Sequence, residues 1–160
     1  MKLYVNEKLF SFHNRYYIKD EHDVDVYEIA SKFISLGDKT TITDMYGNQV
    51  AYIEQELFHL APHYNVYING YEFKIIKKIQ LFKNDYELSN GYRVEGSFMM
   101  YDFNVLDEKG EIVGNISREF FTLGDKYQIE IFDESKKDII LAIIVAITND
   151  IDRSQAASSS

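Results

Sequence analysis

An internal repeat constrains this chain more than any other feature. The segments Ile29-Ala-Ser-Lys-Phe-Ile-Ser-Leu-Gly-Asp-Lys-Thr-Thr-Ile42 and Ile116-Ser-Arg-Glu-Phe-Phe-Thr-Leu-Gly-Asp-Lys-Tyr-Gln-Ile129 are identical at seven of fourteen positions. The register extends backwards, pairing Asp20 with Asp107 and Val26 with Val113. A third copy repeats the opening, with Asp44, Gly47, Val50, Ile53, Glu56 and Phe58 at the spacings of Asp107, Gly110, Val113, Ile116, Glu119 and Phe121. A short repeated unit cannot bury its apolar face alone, so the copies must pack side by side.

The template reveals weaker copies. An aliphatic anchor recurs at Val5, Ile29, Ile53, Ile75, Val94 and Ile116, spaced 19 to 24 residues apart. Four residues later stand Leu9, Phe33, Leu57, Ile79, Phe98 and Phe120, and seven residues later Phe12, Leu36, Leu60, Phe82, Tyr101 and Leu123. Eleven residues past the anchor, four copies carry tyrosine: Tyr16, Tyr64, Tyr86 and Tyr127. Each unit holds two runs rich in β-branched and aromatic residues separated by turn chemistry, which is the pattern of a β-hairpin. Asp44-Met-Tyr-Gly47, Asn69-Gly70, Asn90-Gly91 and Asp107-Glu-Lys-Gly110 supply one set of turns; Gly37-Asp-Lys, Asn84-Asp85 and Gly124-Asp-Lys supply the other. Glycine and asparagine accept the positive φ that tight hairpins need, and aspartate bonds its own backbone two residues on.

Six hairpins imply about twelve strands. The positions at zero and four share strand parity while the position at seven does not. A bulge near the charged third position (Lys8, Lys32, Glu56, Lys78, Glu119) would reconcile them and would bend the strands. We expect closure into a barrel, because an open sheet of that width curls or splits. An open meander or sandwich uses the same hairpins.

The run Ile139-Ile-Leu-Ala-Ile-Ile-Val-Ala-Ile147 departs from every copy. It is apolar on all sides, and as a helix it would be about 14 Å long, too short for a ~30 Å hydrocarbon core. Periodicity alone leaves a strand open, since six of the nine residues are β-branched. We favour a helix, with Ser135 and Asp138 resembling a capping box and with Asp138 and Asp150 bounding it. Such a helix needs an apolar enclosure on all sides, and a twelve-stranded lumen is too wide to be filled by its own side chains. The expected organisation is one domain over residues 1–153 with a disordered tail at 154–160.

The hairpins of type Asp-x-x-Gly-x-x-Val-x-x-Ile, the stretch Gly91-Tyr-Arg-Val-Glu-Gly96 with Asp102-Phe103, and the closing Asp138-Ile-Ile-Leu-Ala-Ile-Ile-Val-Ala-Ile147 together resemble the LURP-one-related (LOR) family over nearly the whole chain. The resemblance implies the tubby C-terminal-like fold, a twelve-stranded barrel around a central C-terminal helix. Relatives by fold include tubby proteins, which bind phosphoinositide head groups, and phospholipid scramblases. For this branch the resemblance implies no particular activity, and a fold alone confers none.

Charge narrows the partners. Lys plus Arg total 17 against 26 for Asp plus Glu, a formal net charge of −9, which repels phosphate backbones and argues against nucleic acid. With no cysteine there is no disulfide framework, thiolate zinc site or thiol nucleophile. The charges in Met1-Lys-Leu-Tyr-Val-Asn-Glu-Lys8 interrupt any signal-peptide core, so we expect a cytoplasmic protein without a transmembrane segment.

One basic stretch departs from the acidic background: Lys74, Lys77, Lys78 and Lys83, interleaved with Ile75, Ile76, Ile79, Leu81 and Phe82. On a barrel wall these lysines would hold a phosphorylated head group or an anionic membrane. The plainer reading is a solubilising strand face. His13, His22, His59 and His63 read as surface histidines at hairpin ends, since a four-residue spacing faces one side only on a helix and Pro62 opposes a helix there. Asp20, Asp23 and Asp25 lack the glycine and distal glutamate of a calcium loop and read as a solvated turn. No phosphate loop, nucleophile elbow or His-Glu-x-x-His occurs, and no cofactor is called for. The expected function is a non-catalytic binding or scaffold module for an anionic lipid head group or small ligand; the alternative is an interaction domain for an unknown protein partner.

Overall fold

The computed structural model describes residues 1–6, 14–32, 37–80, 83–119 and 126–159. Its strands are β1 (Lys2–Asn6), β2 (Arg15–Asp20), β3 (Asp25–Lys32), β4 (Lys39–Asp44), β5 (Gln49–Glu56), β6 (His63–Ile68), β7 (Tyr71–Gln80), β8 (Lys83–Leu88), β9 (Arg93–Ser97), β10 (Asp102–Leu106), β11 (Ile112–Glu119) and β12 (Lys126–Ile131), followed by one long helix, α1 (Lys137–Ser158). They form a single twelve-stranded sheet in the order β8-β7-β6-β5-β4-β3-β2-β1-β12-β11-β10-β9. Two meanders are thus sewn together by the antiparallel pair β1–β12, with Leu3 opposite Ile129. The outermost strands, β8 and β9, are joined by the short turn at Asn90-Gly91, so the sheet wraps into a nearly closed barrel.

The repeat is visible in the registers. All six anchors, Val5, Ile29, Ile53, Ile75, Val94 and Ile116, lie on odd-numbered strands and are at most 5% exposed. Each of four anchors faces the residue thirteen positions on: Ile29–Ile42, Ile53–Val66, Ile75–Leu88 and Ile116–Ile129. Three hairpins share one turn. Oδ1 of Asp20, Asp44 and Asp107 each accepts from the backbone N–H groups two and four residues on, at 2.8–3.0 Å. The fourth turn residue, Asp23, Gly47 or Gly110, is left-handed with φ of 63°, 87° and 82°, which is the three-residue hairpin loop with its bulge.

The bulges lie elsewhere than expected. Among the described residues, register shifts sit beside those Asp turns, at Ile18/Lys19, Ile42/Thr43 and Val105/Leu106, and not at the charged positions Lys32, Glu56, Lys78 or Glu119. Parity is resolved more simply, because β5 ends at Glu56 and the later template positions Leu57 and Leu60 belong to the loop beyond it. The corresponding positions Leu9, Phe12, Phe33, Leu36, Phe82, Phe120 and Leu123, with Lys8, lie outside the described residues. Gly37 is left-handed (φ 101°), while Gly124 lies outside them.

Helix α1 fills the barrel. Every residue from Ile140 to Ile151 is buried, and its side chains meet walls on opposite sides, Ile140 against β11 and Asn149 against β3 and β4. Gly114 lets the helix in: a Cβ there would stand 2.6 Å from Ile140 Cγ2 and 3.0 Å from the Glu130 carbonyl. The cap is Asp133 and not Ser135, because Asp133 opens a short 3-10 turn by accepting from the Ser135 N–H, and α1 continues from that turn without a side-chain cap of its own. The helix also runs past Asp150 to Ser158, across the segment expected to be a tail. It does so because the polar residues of its second half find partners inside the wall. No helix among the described residues is long and apolar enough to cross a membrane.

Ile143, fully buried at the middle of the apolar run of α1, tests the plug. Ile143→Asp would bury a charge with no partner, at a cost of several kcal/mol. The expected outcome is loss of the cooperative thermal transition and of soluble expression; a soluble variant melting like wild type would be incompatible with a helix inside the barrel.

Candidate functional site

Strand β7 sorts the basic stretch by parity. Phe73, Ile75 and Lys77 point inward, while Lys74 and Lys78 point outward. Lys77 is only 6% exposed, and its Nζ stands 2.8 Å from Asp150 Oδ2 on α1. Lys74 Nζ meets Glu56 Oε1 at 2.6 Å and Lys78 Nζ meets Glu87 Oε2 at 2.9 Å, both on the outer face. The side chain of Lys83 lies outside the described residues. The expected lysine site is therefore not one face: strand alternation takes Lys77 out of it and leaves Lys74 and Lys78.

Lys77 belongs instead to a polar girdle around the second half of α1. The template tyrosines supply much of it. Tyr64 and Tyr86 donate their hydroxyls to the two oxygens of Asp150, each at 2.6 Å. Burial first, and the Asp150 carboxylate next, push both phenols above their ordinary range. Lys77 also donates to Ser154 Oγ at 2.8 Å, and Ser154 donates to the Asp150 carbonyl. Tyr101 donates to Asp152, and Tyr127 packs against Tyr101 with ring centroids 4.9 Å apart. Asn149 donates to Thr40 Oγ1 at 3.0 Å, and Arg153 bridges Asp38 and Gln55 at 2.6 Å each. Burial pushes Asp38 and Asp152 up to about 6, against the opposing pull of Arg153 on the first and the Tyr101 hydroxyl on the second. The tyrosine repeat is legible in the sequence, but its partner Asp150, 64 and 86 residues away along the chain, is not.

A second constellation lies outside the wall, where β5 ends. Phe58 adopts a left-handed conformation (φ 65°), unusual for a bulky residue. The chain doubles back, and the rings of His59 and His63 stack at 3.8 Å with 11° between their planes. The two histidines do face one another after all, through a loop reversal and not a helix. Glu56 joins them, its Oε2 standing 3.0 Å from His59 Nε2. Hydrogen bonds from Lys74 and Asn65 hold the Glu56 carboxyl down to about 2. Phe58 and Leu60 are fully exposed, and Ile79 is 66% exposed. Together with His59, His63 and Lys78 they border an open cleft of about 860 Å³. The other candidates are plainer. His22 and Asp20 form an exposed turn, Asp23 and Asp25 lie 3.2 and 3.7 Å from Lys19 Nζ, and His13 lies outside the described residues.

The architecture and the end-to-end sequence pattern agree with a family model. The LURP-one-related model matches residues 1–148. This chain belongs to the LURP-one-related family. It is 29% identical over 154 residues to the uncharacterized protein YxjI of Bacillus subtilis, with 94% of this chain and 93% of that protein covered. A crystal structure of a protein from Arabidopsis thaliana is similar in fold, with a TM-score of 0.63 at 16% identity over 92% of this chain and 89% of that one. The barrel is consistent with the tubby-like superfamily. The LURP-one-related stretch Gly91–Gly96 with Asp102-Phe103 has a packing reason here. Gly96 (φ 147°) lies opposite Phe103, and a Cβ on it would fall 2.4 Å from the Asp102 carbonyl. That close approach seats the turn carrying Tyr101 towards Asp152.

Two measurements separate the inner and outer groups of this LURP-one-related barrel. Lys77→Gln leaves Asp150 buried without its cation, a loss of about 3–5 kcal/mol. Its melting temperature should fall by many degrees, while Lys74→Gln and Lys78→Gln, losing exposed pairs, should melt like wild type. Asp152 carries a pH signature. Its folded pKa, about 6, lies above the ordinary carboxylate value, so the folded state holds more protons than the unfolded chain between about pH 4 and 6. Stability from this group is therefore greatest at low pH and declines as pH rises through that window. Asp152→Asn still accepts from Tyr101 and removes the cost of the buried charge, at most about 3 kcal/mol. The variant should melt above wild type at pH 8, with the gap closing towards pH 4; an equal gap at both would show that Asp152 ionises without penalty.

Proposed function

We propose that this protein is a non-catalytic binding module that docks on an anionic lipid surface through the end of the barrel where β5 and β7 terminate. The exposure of Phe58 and Leu60 carries the reading, because both side chains stand fully in solvent at the tip of an ordered loop, with Ile79 beside the same cleft. Contiguous exposed apolar groups rimmed by polar ones mark interaction surfaces. Lys74 and Lys78 point outward from the adjacent strand. The Lys78–Glu87 pair is solvent-exposed and weak, so a lipid phosphate can take the place of the carboxylate there, and Lys74 stands beside it with its own pair to the half-buried Glu56. Leu57 and Leu60 repeat in sequence as Leu9/Phe12, Phe33/Leu36, Ile79/Phe82, Phe98/Tyr101 and Phe120/Leu123, so all six hairpins keep the apolar pattern, with Phe98 and Tyr101 turned into the core. The net charge of −9 opposes approach at long range, so the attraction must be local.

The rival is a protein partner, favoured by the seam. Strands β8 and β9 are the edges of the sheet, and Asp85, Tyr86, Arg93, Val94 and Gly96 border an opening of about 440 Å³ between them. An added strand would fit such an edge.

Vesicle flotation distinguishes the two. At low ionic strength the protein should float with phosphatidylserine-containing vesicles and not with pure phosphatidylcholine, and the effect should fade as salt rises. Phe58→Ser with Leu60→Ser should abolish flotation, and Lys74→Gln with Lys78→Gln should weaken it several-fold. Equal behaviour on anionic and neutral vesicles would transfer the proposal to the protein partner.

A further inference from the structure

The geometry points to a divalent transition-metal site formed by Glu56, His59 and His63, with zinc the ion that the donor set suits best. Two imidazoles and one carboxylate are the three protein ligands of many zinc centres that keep a fourth position for water. The donor atoms all lie within 4.8 Å of one another. Glu56 Oε2 is 3.0 Å from His59 Nε2 and 3.9 Å from His63 Nδ1. Ligand atoms around a tetrahedral zinc stand roughly 3.3 Å apart, so side-chain rotation alone would complete the site.

The carboxylate is already oriented for this role. Its other oxygen, Oε1, accepts from Asn65 Nδ2 at 2.9 Å and from Lys74 Nζ at 2.6 Å, which leaves Oε2 turned to the histidines. Outer partners of this kind fix the direction of a ligating group. The loop is also held in place from both ends. Phe58 reverses the chain in its left-handed conformation, and the Pro62 carbonyl accepts from the Lys77 N–H at 3.0 Å. The fourth position would open towards the cleft bordered by Leu60, Lys78 and Ile79. Metal binding and lipid docking meet at Lys74, which holds Glu56 here and cannot bond a lipid phosphate at the same time, so the metal is titrated without lipid and each property has its own readout.

Titration of the full chain with zinc chloride by isothermal calorimetry, and with cobalt(II) by visible absorption, tests the site. Wild type should bind one equivalent of zinc and give the d–d bands of a four-coordinate cobalt centre. His59→Ala and His63→Ala should each weaken zinc binding at least about tenfold and lose those bands, with unchanged melting temperature in metal-free buffer. His22→Ala, at an exposed turn elsewhere, should bind like wild type. Absence of stoichiometric zinc binding at micromolar concentrations, or retention of the wild-type affinity and cobalt spectrum in the His59→Ala, His63→Ala double variant, would overturn the inference.

Discussion

A wall of twelve strands encloses more space than its own inward side chains can fill. Everything else in this molecule follows from how that space is taken up. A helix apolar on all sides is stable in water only if every side is covered, and a barrel of this width is stable only if its axis is occupied. Each element supplies what the other lacks. The fit is tight enough that β11 carries glycine at position 114, where the Ile140 side chain of the helix presses against the wall.

The two halves of α1 solve different problems. From Ile140 to Ile147 the contacts are apolar and direct nothing in particular. From Asn149 to Arg153 the polar groups reach partners around the wall: Asn149 on β3 and β4, Asp150 on β6, β7 and β8, Asp152 at Tyr101 before β10, and Arg153 on β5 and at Asp38 before β4. An apolar plug would slide or rotate at little cost. A buried Asp150 meeting two phenols and an ammonium accepts one depth and one rotation. Fixing register is the best-attested use of buried ionic groups, whose net contribution to stability is small.

Much of the fold was legible because β structure with a repeat leaves a periodic trace. The anchors, the Asp-x-x-Gly turns and the apolar run each depend on neighbours close in sequence, and each stands where sequence reasoning put it. The girdle was not legible for the opposite reason. Tyr64 and Tyr86 are visible as a pattern, but that they meet Asp150 depends on the depth to which the helix is inserted. Lys77 could have been separated from Lys74 and Lys78 by strand parity, since an odd offset along a strand reverses the face. The meeting of His59 and His63 could not, because it rests on a left-handed residue, Phe58, of a type that seldom adopts that conformation.

All twelve strands precede α1 in the chain, and the strand pair that sews the two meanders joins Lys2 to Glu130. A growing polypeptide therefore displays its rows of inward aliphatic residues before the segment that covers them has been synthesised. Hairpins can form early, being local, but the cylinder has no interior until translation has passed Ile151. The decisive step of folding thus waits on the most distant contacts, which are the slow ones. Over that interval the nascent barrel presents the unpaired edges and apolar surface that chaperones recognise. The helix that gives the finished barrel its solidity leaves its precursor uncovered until the end.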